Sequence, residues 1–389
     1  MRITIISGFF LPVPPLGGGA TEKTWFRLAS EFAAQGHDVT MFSRRWPGLP
    51  DNEVISGVRH IRLTGHNHHR KLWRNLLQDF LWSLRVFFAL PTGDIVVCHA
   101  VTLPIWLGLM RPSAGKVVLM CGRMPKGQYR RYSRLARILS PSNEVKARLI
   151  AEEPTTEHLI RTVGYPIAWS SLSDTAHTAP PFLPQRSEAG EVTIGFIGRL
   201  HEEKGLHLLA QALVHLRETE GLPPWRVIIC GPSDMACGGS GSDFRARLFN
   251  QLSKSVDLNR LHVLDPQFNE KVLASIYHHI DIFCYPSLAE GGETFGVAVA
   301  EAMAAGAVPV VSQLACFQDF VHTNVNGLGF DHRSSDAAAQ LAERIKRLLL
   351  DSDLRHRLSV RAKSDIQRYD YRLFAARLLG DFAGLVGPR

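Results

Sequence analysis

The sequence predicts an α/β protein of two units, each a parallel β-sheet with helices on both faces. Three observations carry this. Short apolar runs suited to buried strands alternate with segments of helical period along the chain, and strands buried on both faces imply parallel sheets covered on both sides. The length, 389 residues, exceeds one ordinary core, so two domains of roughly 170–200 residues are expected. A polar, proline-rich stretch at 169–190 divides the chain into halves of similar size, as an interdomain linker does.

The strand-like runs are ITIIS (3–7), VTMFS (39–43), DIVVCH (94–99), KVVLMC (116–121), TIGFIG (193–198), RVIICG (226–231), DIFCYPS (281–287) and VPVVS (308–312). Helical patterns lie between them at Thr21–Gln35, Gly205–Glu218 and Phe295–Ala305. No fixed-period repeat is present, which argues against a solenoid. The expected domains are 1–168 and 191–365, joined by 169–190, with a last segment 366–389 packing across both. A ligand is expected in the cleft between two such units.

The first apolar run stops at Pro12 and lacks an A-x-A-like cleavage site, so it reads as a first buried strand and not a secretion signal. The longest apolar stretch, Ile95 to Met110, contains His99 and Pro104, so no membrane span is expected. Apolar residues make up 45% and charged residues 21%, the balance of a folded globular protein. The six cysteines form no CxxC pair and are expected as reduced core residues of a cytosolic protein. The net charge of +8 is unevenly placed, with residues 1–168 at +11 and the remainder at −3. The first domain is therefore expected to meet something anionic: nucleic acid, an anionic membrane surface or a phosphorylated acceptor.

The most informative stretch is PSLAEGGETFGVAVAEAMAAGAVPVV (286–311). A strand ends at Pro286, a glycine-containing loop follows, and a helix is expected to start near Phe295. On a helical path Glu293 and Glu301 differ by about 80° and roughly 12 Å of rise, a spacing that suits the two ends of a long hydroxyl-bearing ligand. The backbone N–H groups of Thr294, Phe295 and Gly296 at a helix start suit hydroxyls or phosphate oxygens. Glu301 interrupts an otherwise small-apolar helix, which a purely structural role does not explain. In the second stretch, TIGFIGRLHEEKGLHLLAQAL (193–213), Arg199 and Lys204 flank a turn between a strand and a helix. Two cations there suit a diphosphate.

These two segments, in this order and spacing, resemble the retaining family-4 glycosyltransferases of the GT-B fold. The E-x7-E pattern with E-A-M-A-x-G-x-P-V behind it, and GR-x4-KG upstream, carry the resemblance. GGGATEKTWFRLASEFAAQGHDVT (17–40) and LSPSNEVKARLI (139–150) extend it over most of the chain. The resemblance implies two Rossmann-like domains with parallel sheets facing a central cleft. It also implies a nucleotide-sugar donor, consumed as substrate with no cofactor, and a glycan or lipid-linked acceptor. Glu301 would hold the ribose, Glu293 and the backbone at Thr294–Gly296 the donor sugar, and Arg199 and Lys204 the diphosphate. Gly17, Gly18 and Gly19 would form a loop closing over the donor, and His99 would line the acceptor side. Gly231, in GPSDMACGGSGSD (231–243), is expected at the rim of the nucleotide site. Cys121 followed by Gly122 departs from the family's usual histidine, and Tyr165 and Ala168 replace polar residues near the linker.

Asp351 and Asp353 match the D-x-D signature of metal-dependent glycosyltransferases, but they sit between basic helical segments, where an aspartate is expected as an N-cap. His60, His66, His68 and His69 lack metal spacing. No metal is therefore expected, with Arg199 and Lys204 meeting the leaving-group charge. HHRKLWRNLLQDFLWSLRVFFAL (68–90) mixes cations with aromatic rings, and RMPKGQYRRYSRLAR (123–137) is dense in cations. Both suit an anionic membrane surface, while for the first an amphipathic helix with a solvated basic face remains the alternative. The expected location is cytoplasmic, peripheral on the inner face of the membrane. Two rivals stay open: a nucleotide-sugar epimerase of the same fold, and a basic nucleic-acid-binding protein. The second lacks any RNP, zinc-finger or helix-turn-helix signature, so no nucleic-acid partner is expected.

Overall fold

A computed structural model describes residues 1–16, 19–132, 134–174, 181–183, 186, 188 and 190–387. The chain divides into two compact units, Met1–Pro166 with Tyr371–Arg389, and Ile167–Asp370. Each is a Rossmann-like α/β domain.

The first unit contains β1 (Arg2–Ile6), β2 (Asp38–Arg44), β3 (Asn52–Ile55), β4 (Val58–Leu63), β5 (Ile95–Cys98), β6 (Lys116–Met120), β7 (Leu135–Ser140) and β8 (Ile160–Thr162). They form one sheet in the order β3-β4-β2-β1-β5-β6-β7-β8. Every pairing is parallel except β3 with β4. All four residues of β5 are buried, as an unbroken apolar run in a sheet covered on two faces requires. The core beneath one face is built from Ile6, Phe42, Trp82, Val96, Leu119 and Ile138.

The last helix, Tyr371–Val386, belongs to this first unit. It packs on the helix Ala20–Ala34. The rings of Phe32 and Phe382 lie 6.1 Å apart, and Arg137 Nε donates to Asp381 Oδ2 at 2.8 Å.

The second unit contains β9 (Val192–Ile197), β10 (Trp225–Cys230), β11 (Leu261–Leu264), β12 (Ile282–Tyr285), β13 (Val308–Ser312) and β14 (Leu328–Phe330). Their order is β11-β10-β9-β12-β13-β14, and every pairing is parallel. The stretch expected as a linker begins with a helix, Trp169–Ser173, inside this unit. Trp169 Nε1 donates to the carbonyl of Lys363 at 3.0 Å, so apolar packing and a hydrogen bond hold what composition alone marks as loose. Residues 175–180 lie outside the described set.

Both sheets reverse strand order at one point, between β1 and β5 and between β9 and β12. Chain segments leaving the carboxyl ends of two such strands diverge to opposite faces and leave a crevice. His99 follows β5, Arg199 and Lys204 follow β9, and Glu293 follows β12.

Replacing the fully buried Phe382 by alanine should cost about 3–5 kcal/mol. Hydrogen exchange should then accelerate in Ala20–Ala34 while Leu206–Arg217 keeps its protection, because only the first unit loses the contact.

Candidate functional site

The site in the second unit begins with backbones that approach closely. Gly205 sits at φ +66° where β9's exit turn meets the helix Leu206–Arg217. A Cβ there would lie 1.9 Å from the Pro286 carbonyl oxygen, so only glycine fits. Gly231 is tighter still, since its Cβ would stand 1.8 Å from the Gly198 carbonyl oxygen. The structure thus supplies a packing reason for Gly231, at the junction of the segments leaving β9 and β10. Leu288 N donates to Glu203 O at 2.7 Å, fastening the segment after β12 to the turn after β9.

Lys204 and Glu293 meet across that junction. Lys204 Nζ is 2.7 Å from Glu293 Oε2, with the two side chains only 5% and 12% exposed. Ser287 Oγ donates to the same carboxylate oxygen at 3.2 Å. The ammonium lies 5.3 Å from the centre of the Tyr285 ring. Burial first, and then the charge of Glu293, push the Tyr285 hydroxyl well above its ordinary range, so it stays a protonated donor. Arg199 is more exposed. Its Nη2 pairs with Glu203 Oε1 at 2.8 Å and its Nη1 donates to Gly238 O at 2.6 Å. Each expected diphosphate-binding cation therefore already has a carboxylate partner, Glu203 for Arg199 and Glu293 for Lys204.

The helix behind the loop is Val297–Ala304, two residues later than the sequence period suggests. Gly296 takes φ +95° as its N-cap, and a Cβ there would be 2.4 Å from the Phe317 ring. That left-handed residue interrupts the helical path between Glu293 and Glu301, so the 80° and 12 Å construction does not apply. Only Glu301 is helical. The Phe295 ring is buried against Phe320 at 4.8 Å and Tyr369 at 5.1 Å, which leaves its backbone as the part able to meet a ligand. Thr294 is half-buried beside it.

Glu301 has a partner that sequence reasoning missed. The hydroxyl of Tyr277 donates to Glu301 Oε2 at 3.0 Å, and Tyr277 is fully buried. Burial and the Glu301 charge push that phenol well above its ordinary range, so it remains a donor. Tyr277 lies in the last turn of a helix, Glu270–His278, whose period marks it as core; only the fold brings it to Glu301. Glu203 was equally hidden, as one of two adjacent acids in a turn.

In the first unit, the loop after β1 is held by two arginines. Arg62, buried, donates to Val13 O at 2.8 and 3.1 Å, and Arg44 Nη1 donates to Phe10 O at 2.7 Å. Gly19 ends that loop at φ +95°, packed against the buried carboxyl of Glu22, which burial raises above its ordinary range. Gly17 and Gly18 lie outside the described residues. His99 N donates to Ile6 O at 2.9 Å and its ring lies 5.0 Å from Trp25. Its Nε2 is buried with no hydrogen-bond partner among the described residues, and desolvation pulls its pKa down to about 3. Cys121 donates to Arg123 O at 3.1 Å, and burial pushes its thiol up to about 11, so it is no thiolate nucleophile.

Asp351 caps the helix Ser352–Ile366 by accepting from Leu354 N at 2.7 Å, the role its position suggested. His60 is a buried core residue. Among the described residues, no cluster of three or more His, Cys, Asp or Glu is placed to hold a metal ion.

Two family profiles match in series: Glycosyltransferase Family 4 over residues 17–167 and Glycosyl transferases group 1 over residues 183–365. The fold and the order of the two matches define a GT-B glycosyltransferase. The chain belongs to the group 1 glycosyltransferases. It is 33% identical to a D-inositol 3-phosphate glycosyltransferase of Corynebacterium urealyticum over 188 residues, 48% of this chain and 41% of that one. It is 25% identical to the phosphatidyl-myo-inositol mannosyltransferase of Mycolicibacterium smegmatis over 97% of this chain and 92% of that one. In fold it is similar to a sucrose-phosphate synthase from Thermosynechococcus elongatus, with TM-score 0.75, 20% identity and coverage of 99% and 98%.

The His99 environment gives a test with a definite sign. Its folded pKa, about 3, lies below the ordinary 6.5, so between those values the unfolded chain binds a proton that the folded chain refuses. Stability must fall as pH drops through that window. In urea titrations at pH 7, 5.5 and 4.5, His99→Leu should lose progressively less stability with acid than wild type. A constant offset would show that His99 titrates normally.

Proposed function

We propose that this glycosyltransferase moves a sugar from a nucleotide-diphosphate sugar to a hydroxyl of a glycan or lipid-linked acceptor, retaining the anomeric configuration and using no metal ion. The observation that carries the reading is the convergence of Arg199, Lys204, Glu203 and Glu293 at the strand-order reversal of the second sheet, with Glu301 on the helix behind. The corynebacterial and mycolicibacterial relatives, by name, use inositol phosphate and phosphatidylinositol as acceptors, which favours an acceptor bearing phosphate or lipid. The role is then in cell-surface polysaccharide or glycoconjugate synthesis, in the cytoplasm against the inner face of the membrane.

In this reading Glu301 accepts hydrogen bonds from the ribose hydroxyls, and Glu293 meets the donor sugar while orienting Lys204. The bond between the anomeric carbon and the leaving phosphate oxygen breaks, leaving oxocarbenium character on the sugar. The acceptor oxygen bonds to that carbon from the same face, and its proton passes to the departing diphosphate. Arg199 and Lys204 neutralise the charge that grows there, the largest demand on the site. His99, neutral across the physiological range, serves as a hydrogen-bonding group toward the acceptor. Closure that excludes water limits hydrolysis.

Calorimetry with nucleoside diphosphates tests the donor site. Glu301→Ala should weaken binding by about 1.5–3 kcal/mol, the worth of a hydrogen bond to a charged group. Tyr277→Phe should weaken it less, and the 2′,3′-dideoxy nucleotide should be insensitive to both changes. Unchanged affinity in folded Glu301→Ala removes that residue from the site.

Acceptor-dependent release of nucleoside diphosphate should persist in excess EDTA. An absolute need for manganese or magnesium would overturn the metal-free mechanism, and release independent of any acceptor would favour the epimerase.

A further inference from the structure

The helix Leu72–Ala89 of the first unit turns a row of large apolar residues outward. Its buried side holds Asp79, Trp82, Ser83 and Val86. Leu72, Trp73, Leu76, Leu77, Phe80 and Leu81 are exposed, and their spacing places all six within about 180° of the helix surface. The sequence left open a solvated basic face on this helix, and the structure gives an apolar one. Trp73 is 59% and Phe88 77% exposed. The patch continues onto the helix Leu103–Met110, which packs beside it and exposes Leu109 and Met110. Phe87 and Trp106 join the two helices with ring centres 4.8 Å apart.

A contiguous outward row of large apolar side chains on a soluble-sized unit marks an interaction surface. Its surrounding charge says what covers it. Arg70, Lys71 and Arg74 stand at its amino end, and Arg74 lies over the Trp73 ring at 5.4 Å. The helix has one acid, Asp79. That carboxylate is buried and accepts from Val101 N, Thr102 N and Thr102 Oγ1, so it adds no negative charge to the face. Two copies meeting through this patch would bring together two segments, residues 1–168 of each, that carry a net charge of +11 apiece. An anionic bilayer accepts both parts at once, with apolar side chains at the acyl boundary and cations at the headgroups.

We propose that the exposed face of Leu72–Ala89, continued by Leu109 and Met110, is a membrane-docking surface that inserts shallowly into an anionic bilayer. It deepens the reading of a membrane-anchored acceptor and rests on it for its purpose, though not for its physics. The docked helix brings the first unit to the surface where such an acceptor resides.

The test uses the full chain with vesicles of phosphatidylglycerol and phosphatidylcholine, against vesicles of phosphatidylcholine alone. Wild type should co-sediment with the anionic vesicles at low salt, and brominated acyl chains should quench fluorescence that Trp73→Phe removes. Leu76→Glu with Leu77→Glu should reduce vesicle binding at least tenfold. Replacing Arg70, Lys71 and Arg74 with glutamine should weaken binding and flatten its salt dependence. Both variants should keep wild-type nucleotide affinity by calorimetry, which shows that they fold and keeps failure of docking distinct from failure of the donor site. Wild type ignoring anionic vesicles, or the Leu76/Leu77 variant sedimenting like wild type, overturns the proposal. So does a wild-type dimer that the variant dissolves while neither form binds vesicles, since the patch is then covered by a second copy.

Discussion

Lys204 and Glu293 are 89 residues apart in sequence, and their ion pair is the contact around which the second unit's site is arranged. An ammonium this deeply buried is tolerable only with a partner and satisfied surroundings, and here the partner comes from the segment leaving the adjacent strand. The pair therefore demands that the exits of β9 and β12 stay in contact. Gly205 makes that contact sterically possible, the Leu288–Glu203 backbone hydrogen bond fixes it, and Ser287 and Tyr285 complete the shell around the carboxylate. Breaking such a pair by removing one member leaves an uncompensated buried charge, which is far worse than never having the pair.

The same contact sets the electrostatic character of the site. Arg199 and Lys204 each face a carboxylate, so the strand-order reversal presents organised charges of both signs. It is not a simple basic patch. An arrangement of this kind holds its dipoles in place before a ligand arrives, and pre-organisation is worth more than net charge where charge develops during reaction. The excess positive charge of the protein lies in the first half of the chain, among the cations near Leu72–Ala89 and along residues 123–134. The two halves thus use charge differently: the second as fixed pairs in a crevice, the first as a spread field at an apolar surface.

Much was legible in the chain itself. Strand runs such as ITIIS and DIVVCH place apolar side chains on both faces of the pleat, a pattern that suits burial on both faces, so the α/β class and the parallel sheets followed directly. Glycines around Glu293 and ahead of Leu206 could be read as turns at strand exits, where positive φ is needed, and Gly205 and Gly296 do take positive φ there. Asp351 could be recognised as a cap from its neighbours alone.

Tertiary structure decided what depends on partners distant in sequence. Period alone treated Glu293 and Glu301 as one helical path, whereas the Phe317 ring against Gly296 breaks that path and starts the helix two residues later. Tyr277 reads as an ordinary core tyrosine until packing delivers its hydroxyl to Glu301. Sequence cannot show that Gly231 lies against the Gly198 backbone, a packing reason for glycine at that position. The polar, proline-rich stretch 169–190 reads as linker, yet Trp169 finds the Lys363 carbonyl. Helix Leu72–Ala89 carries enough apolar residues for two faces, and sequence cannot say which one the sheet takes. Asp79 settles that by turning inward to hold Val101 and Thr102. Composition and period determine which residues must leave water; which neighbours receive them is fixed only when the whole chain closes its hydrogen bonds and fills its cores.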